Sequence, residues 1–344
     1  MNQINFSDFT IIPIISSARR EKISDELYFS SKYADFISNS RLGYINPKQD
    51  GSPNNYMHPP HLNTQSLFLG SCIHELILQP EVFSLAPKCK KPNAKLGNTL
   101  DRIKYYRKRG YSIYDSIINS SRDCEYYVNQ INSKIHKIIE EGLPYYLLSK
   151  DYDDNVLTLS DRDWDTCYNC VNNVMSNPAI TSALHPVDDF MNEIPTFNED
   201  ALFMDIVVLY KGRHAIRLKL KAKADNWTID EENKILTLND LKTTSKPIYL
   251  FMNKELGSFA KYHYSRQFAF YKYILEAYCT KEYGYNHSWV FNGNVLAINT
   301  RDYESKLFKV NKSQFEQGKR EFEQLIKRVA FYEMFGYNKE VIFK

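Results

Sequence analysis

The spacing of apolar side chains changes about half-way along this chain. Residues 65–79 (QSLFLGSCIHELILQ) repeat apolar positions at the three-and-four spacing of a helix and end at Pro80. Residues 23–40 (ISDELYFSSKYADFISNS) carry the same spacing, with Ser24 placed to cap a helix. Residues 46–64, rich in Pro, Asn and Gly, predict a loop. The region 98–184 reads as mostly helical, with a polar loop near 150–156. After Pro186 the period falls to two, and 190–197, 201–210, 213–225 and 234–242 predict strands. Turns are expected at Lys211–Arg213 and near Asp230–Asn233. A helix over 258–280, a strand over 287–299 and a long helix over 311–335 complete the pattern. Strands bracketed by helices predict an α/β fold with a central mixed β-sheet flanked by helices. A mostly helical N-terminal region, 1–184, is expected to pack on a core formed by 185–344.

Composition narrows the class. The chain has 344 residues, 43% hydrophobic and 25% charged, enough for a sizeable core. No run of about 18 apolar residues is present, so no membrane span is expected. The opening residues, MNQINFSDFT, lack the layout of a signal peptide. The protein is expected in the cytoplasm, with Cys72, Cys89, Cys124, Cys167, Cys170 and Cys279 as reduced thiols. Cys167 and Cys170 form a C-x-x-C without a second pair at finger-like spacing. It is read either as a metal or redox motif or as two small residues on a helix.

The net charge of +3 decides little, but its distribution is uneven. Nine basic residues and one acid, Asp101, lie between Lys88 and Arg109. Tyr105, Tyr106 and Tyr111 sit among Arg107, Lys108 and Arg109. Such a stretch suits a phosphate backbone and unstacked bases; its other reading is a solvated helix face.

The segment LTLNDLKTTSKP, 236–247, carries the chemistry. Side chains two apart on a strand share a face, so Asp240 and Lys242 project together. A carboxylate and an ammonium at a strand end can hold a divalent ion and an attacking water; alone, the pair also reads as an exposed ion pair. The preceding strand, RLKLKAKAD, places Arg217, Lys219, Lys221, Lys223 and Asp225 on one face. A hairpin between these strands brings Asp225 towards Asp240, offering the oxygen ligands that Mg²⁺ prefers. The lysine row then guides a phosphate backbone or forms a solvated strand face. Downstream, Tyr264, Gln267 and Tyr271 share a helix face, with the tyrosines also readable as core aromatics. Upstream, His74 stands on an otherwise apolar helix, as a ligand or a satisfied core residue.

In order, these motifs are Gly70 to His74, Glu193, Asp225, Asp240 with Lys242, and Gln267 with Tyr271. The series resembles the PD-(D/E)xK nucleases of the RecB and lambda-exonuclease type. It is most similar to the phage exonuclease VIII (RecE) group, over about residues 25–335, through FLGSCIHELILQPEVF and DLKTT. The resemblance implies a restriction-endonuclease-like core and metal-dependent exonuclease action on double-stranded DNA ends in phage-type recombination. It implies Mg²⁺ or Mn²⁺ held by Asp225, Asp240, His74 and the Leu241 carbonyl. Glu193 is the upstream acid, with Asp205 as the alternative. Lys242 orients the water, while Gln267 and Tyr271 support the site. The implied partners are DNA, a single-strand annealing protein and further copies of the chain in a ring. Some relatives hold an iron–sulfur cluster, but Cys279 alone in the C-terminal part argues against one here. Two other readings are a repair or CRISPR-adaptation nuclease with the same core and a non-catalytic DNA-binding module.

Overall fold

The computed structural model describes residues 2–60, 64–85, 92, 94–149 and 159–344. Cys89, Lys88, Lys90, Lys91 and the expected polar loop at 150–156 fall outside these. The chain forms two compact units, Met1–Leu62 with Cys170–Lys344, and Asn63–Asn169. The division therefore differs from the one expected at residue 184.

In the first unit the strands are β1 (Asn2–Ile4), β2 (Phe9–Glu21), β3 (Thr196–Tyr210), β4 (His214–Asp230), β5 (Ile235–Thr244), β6 (Val290–Asn299), β7 (Ser305–Lys309) and β8 (Val341–Phe343). Six of them form one mixed sheet in the order β2-β3-β4-β5-β6-β7. β5 and β6 are parallel, and the other neighbours are antiparallel. Parallel pairing requires a crossover, which helix Tyr264–Tyr283 supplies. With the flanking helices this is the α/β architecture expected. β1 and β8 pair separately, in parallel.

Two hairpins set the register around the site. Lys211 and Gly212 both take left-handed φ, 50° and 63°, in the turn between β3 and β4. The Asp230 carboxylate accepts from the backbone and side chain of Asn233 in the next turn. Both turns fall where the sequence places them. The strand expected over 190–197 instead starts at Thr196, because the residues before it close on themselves around the Asp188 carboxylate.

Strand β2 joins the sheet from the region expected to be helical. It holds Pro13 opposite Ile206 and a register shift between Ile14 and Arg19. Proline is tolerated there because β2 is an edge strand. Residues 23–40 do not form one helix. They make short turns at Asp25–Tyr28, Ser31–Tyr33 and Asn39–Gly43, restarted by caps at Ser24 and Ser38. Tyr28, Tyr33 and Phe36 pack on Ala201 and Phe203 of β3, so this segment covers one face of the sheet.

The sheet's main core packs against helices Tyr264–Tyr283 and Lys312–Phe335. Those helices meet at Gly318, where a Cβ would lie 1.8 Å from the Ser265 carbonyl oxygen. The second unit contains helices Gln65–Leu78, Pro80–Leu85, Ala94–Lys108, Ile113–Asp123 and Ile131–Ser149. Its core includes Leu96, Leu100, Ile103, Ile117 and Ile138. Pro80 opens a second short helix, as proline does at a first helical position.

Candidate functional site

The site forms where β4 and β5 part. Their ladder runs from Asp230↔Ile235 to Asn226↔Asn239 and stops. One residue further, the Asp225 carboxylate accepts from the Leu241 backbone N–H at 2.7 Å. A side chain replaces the backbone partner, and the strands open around two aspartates.

On the other side, the β3–β4 register pairs Asn198 with Asn226 and Asp200 with Ala224, leaving Glu199 opposite Asp225. Glu199 has a left-handed φ of 53°, a strained geometry for a residue with a side chain. Its carboxylate comes within 4.8 Å of that of Asp225. Burial, then the Asp225 charge, push the Glu199 carboxyl up to about 7, although Lys223 at 2.8 Å acts the other way.

Asp240 is 1% exposed. Gln267 on helix Tyr264–Tyr283 donates to its Oδ1 at 2.9 Å. Its Oδ2 lies 2.5 Å from Lys242 Nζ, yet among the described residues no hydrogen-bond donor is aligned on it. The ion pair is present, but its direction is off. Burial pushes the Asp240 carboxyl up to about 7, with Lys242 opposing and Asp225 adding to the shift. For Lys242, burial disfavours the charge, but Asp240 and Asp225 outweigh it and raise the pKa.

Lys242 Nζ stands among three oxygens: Asp240 Oδ2 at 2.5 Å, the Leu241 carbonyl at 3.2 Å and Asp225 Oδ2 at 4.0 Å. The ammonium therefore occupies a position suited to a cation. Two carboxylates, Asp225 and Asp240, and a backbone carbonyl thus face one ammonium. This donor set fits a hard divalent ion. Burial also raises the pKa of Tyr271, on the same helix as Gln267.

A row of asparagines braces these strands. Asn226 donates to Asn198 at 2.7 Å, Asn239 to Asn226 at 2.7 Å and Asn294 to Asn239 at 2.9 Å, across β3, β4, β5 and β6. Asn239 and Asn226 also donate to the carbonyls of Ala183 and Leu184, at the end of helix Pro178–Leu184. Asn239 and Asp240 are adjacent on β5 and so project to opposite faces.

The other expected residues are placed differently. Glu193 is exposed in the loop before β3 and is not part of the cluster; Glu199 is. Asp205 is held by Arg217 and lies opposite Lys219, six residues along β4 from Asp225, so roughly 20 Å away along the strand. Nor is the lysine row an open phosphate track. Lys219 pairs with Asp35 at 2.7 Å, Lys221 is 7% exposed and donates to the Tyr28 carbonyl at 2.9 Å, and Lys223 pairs with Asp25 and Glu199. Segment 25–36 contributes Asp25, Tyr28 and Asp35 to this covering.

In the second unit, His74 lies on helix Gln65–Leu78. Arg107, Lys108 and Arg109 are exposed at the end of helix Ala94–Lys108, with the Arg109 guanidinium 3.6 Å from the Tyr105 ring centre. Cys167 and Cys170 are both buried on helix Asp161–Met175, and burial pushes the Cys170 thiol up to about 12.

No protein-family model matches the sequence, and no curated protein matches it. Among solved structures, the chain is similar to a "Putative exonuclease" from Eubacterium rectale, with 11% identity and a TM-score of 0.49. The overlay covers 93% of this chain and 89% of that one. A likeness at this level carries no argument about chemistry, which rests on the side-chain geometry above.

Proposed function

We propose that this chain is a divalent-metal-dependent nuclease that hydrolyses phosphodiester bonds in DNA. The supporting observation is the Lys242 ammonium set between Asp225 and Asp240 at the parting of β4 and β5, with the Glu199 carboxylate within 4.8 Å of that of Asp225. Glu199, Asp225, Asp240 and the Leu241 carbonyl would hold Mg²⁺ or Mn²⁺. When bound, the ion supplies Lewis acidity to the phosphate and lowers the pKa of water.

The protein's own groups do the positioning. Gln267 fixes the Asp240 carboxylate through Oδ1, leaving Oδ2 for the reaction centre. The Leu241 N–H fixes Asp225 in the same way. Lys242, relieved of its present carboxylate contacts, is within reach of a water or a phosphate oxygen. There its charge stabilises the developing negative charge. Action on double-strand ends, a ring of identical chains and a single-strand annealing partner form the finer part of this proposal.

The test is nuclease activity on linear and circular DNA with Mg²⁺, Mn²⁺ or EDTA. Metal-dependent degradation by the wild type, abolished in Asp240→Asn, supports the reading. Full activity in Asp240→Asn or in EDTA overturns it.

A further inference from the structure

A break in the chain beside the site has no role in the chemistry described so far. Helix Ser258–Lys261 ends at Tyr262, and His263 takes a left-handed φ of 54° before helix Tyr264–Tyr283 begins. A conformation of this kind persists when its surroundings fix it. Glu321 Oε1 lies 2.7 Å from His263 Nδ1 and accepts from Arg266 at 3.0 Å and from Asn46 at 2.8 Å. Arg266, 2% exposed, also donates to Asn39 at 2.9 Å and to Gln49 at 2.7 Å. Burial lowers the Arg266 pKa, so the network is held against a desolvation cost.

The break turns two neighbouring tyrosines to different tasks. Tyr264 faces inward, its ring centre 5.2 Å from Lys242 Nζ. The Tyr262 ring lies 5.8 Å from that of Tyr264 and is 49% exposed, with Lys261 Nζ 5.1 Å from its centre. Taking the two legs through Tyr264, the Tyr262 ring is at most about 11 Å from Lys242 Nζ. An exposed ring on a braced backbone, with the Lys261 ammonium over one face and the other face left for a base, thus stands next to the proposed reaction centre. That spacing matches the first or second nucleotide beside the phosphate under attack.

We infer that Tyr262 is a stacking platform for an unpaired nucleobase flanking the scissile phosphate, with Lys261 beside the adjoining backbone. The inference rests on the nuclease reading. Stacking on an aromatic ring needs a free base face, which a base inside a duplex lacks. The substrate is then a nucleic acid that is single-stranded or frayed at the point of cleavage.

The test uses the full chain and DNA oligonucleotides bearing 2-aminopurine or an abasic position at successive sites. Binding is measured in Ca²⁺ and cleavage in Mg²⁺. Expected is fluorescence quenching at one position, lost in Tyr262→Ala and kept in Tyr262→Phe. Tyr262→Ala should weaken binding roughly 5- to 100-fold for the intact base, as loss of one base–aromatic stack does. It should change little when that position is abasic. Equal weakening on both substrates, or none, overturns the platform. Quenching without Mg²⁺-dependent cleavage supports the platform and removes the nuclease reading. Cleavage indifferent to Tyr262 removes the platform alone, and neither binding nor cleavage removes both.

Discussion

Replacing Asn239 by leucine asks whether the asparagine row holds β4 and β5 in place. Leucine keeps the branch at Cγ, so the change removes hydrogen bonds with little loss of volume. Three contacts disappear: to the Ala183 carbonyl at 2.7 Å, to Asn226 at 2.7 Å and from Asn294 at 2.9 Å. Asn226 and Asn294 are 1% and 7% exposed, so water does not readily replace the lost partner. Two buried polar groups left unsatisfied cost about 2–6 kcal/mol together, and the apolar gain of leucine offsets about 1–2 kcal/mol. A net loss of about 3 kcal/mol is expected, a large share of the 5–15 kcal/mol typical of a domain. Urea denaturation followed by tryptophan fluorescence measures it, with amide exchange on β4 and β5 as a local readout. The double variant Asn239→Leu/Asn294→Leu should lose less than the sum of the singles, because each removes the other's stranded partner. Mg²⁺ affinity should fall as well, since Asp240 follows Asn239 directly. A loss below about 1 kcal/mol, or strict additivity, would refute the bracing role.

Other outcomes follow from the same geometry. Lys242→Ala should lower the rate of DNA hydrolysis by about 10²- to 10³-fold while the melting curve stays cooperative; unchanged turnover would remove the lysine from the mechanism. The Glu199 and Asp240 carboxyls, both raised to about 7, bind more protons folded than unfolded from pH about 4 upwards. Metal-free stability should therefore fall as pH rises through that window, and excess Mg²⁺ should flatten the fall. Glu199→Gln should flatten it too; an unchanged pH slope in that variant counts against the assignment. Lys221→Met should leave the salt dependence of DNA binding unchanged, because Nζ is committed to Tyr28; a slope smaller by about one would restore Lys221 as a phosphate contact.

How much of this was legible beforehand depended on whether local pattern or long-range register decided the matter. The β3–β5 hairpins and the D-x-K pair follow from period and turn chemistry, which act over a few residues. Glu199 required one more step. Counting out from Gly212, thirteen residues reach Asp225 on one arm and Glu199 on the other. The turn was readable, so the partner of Asp225 was too; the sequence reading instead placed the acid at Glu193 or Asp205. Composition could not separate Glu199 from Asp200, whose charge is taken by Arg20 at 3.0 Å. The left-handed φ of Glu199 sets it apart as well. Strand β2 was hidden because FTIIPIISS is nearly continuous in apolar residues and interrupted by Pro13, which local rules set against a strand. The covering of Lys219, Lys221 and Lys223 by segment 25–36 is a tertiary contact that no spacing along β4 reveals.

The central claim is that Glu199, Asp225 and Asp240 share one divalent ion beside Lys242. Crystals of the protein grown or soaked with Mn²⁺, measured at the manganese absorption edge, test it most directly. The account predicts an anomalous peak within bonding distance of those carboxylates and the Leu241 carbonyl, with Lys242 Nζ moved off the position it now holds. A peak elsewhere, or an ordered lysine still lodged among the three oxygens at saturating Mn²⁺, would contradict it.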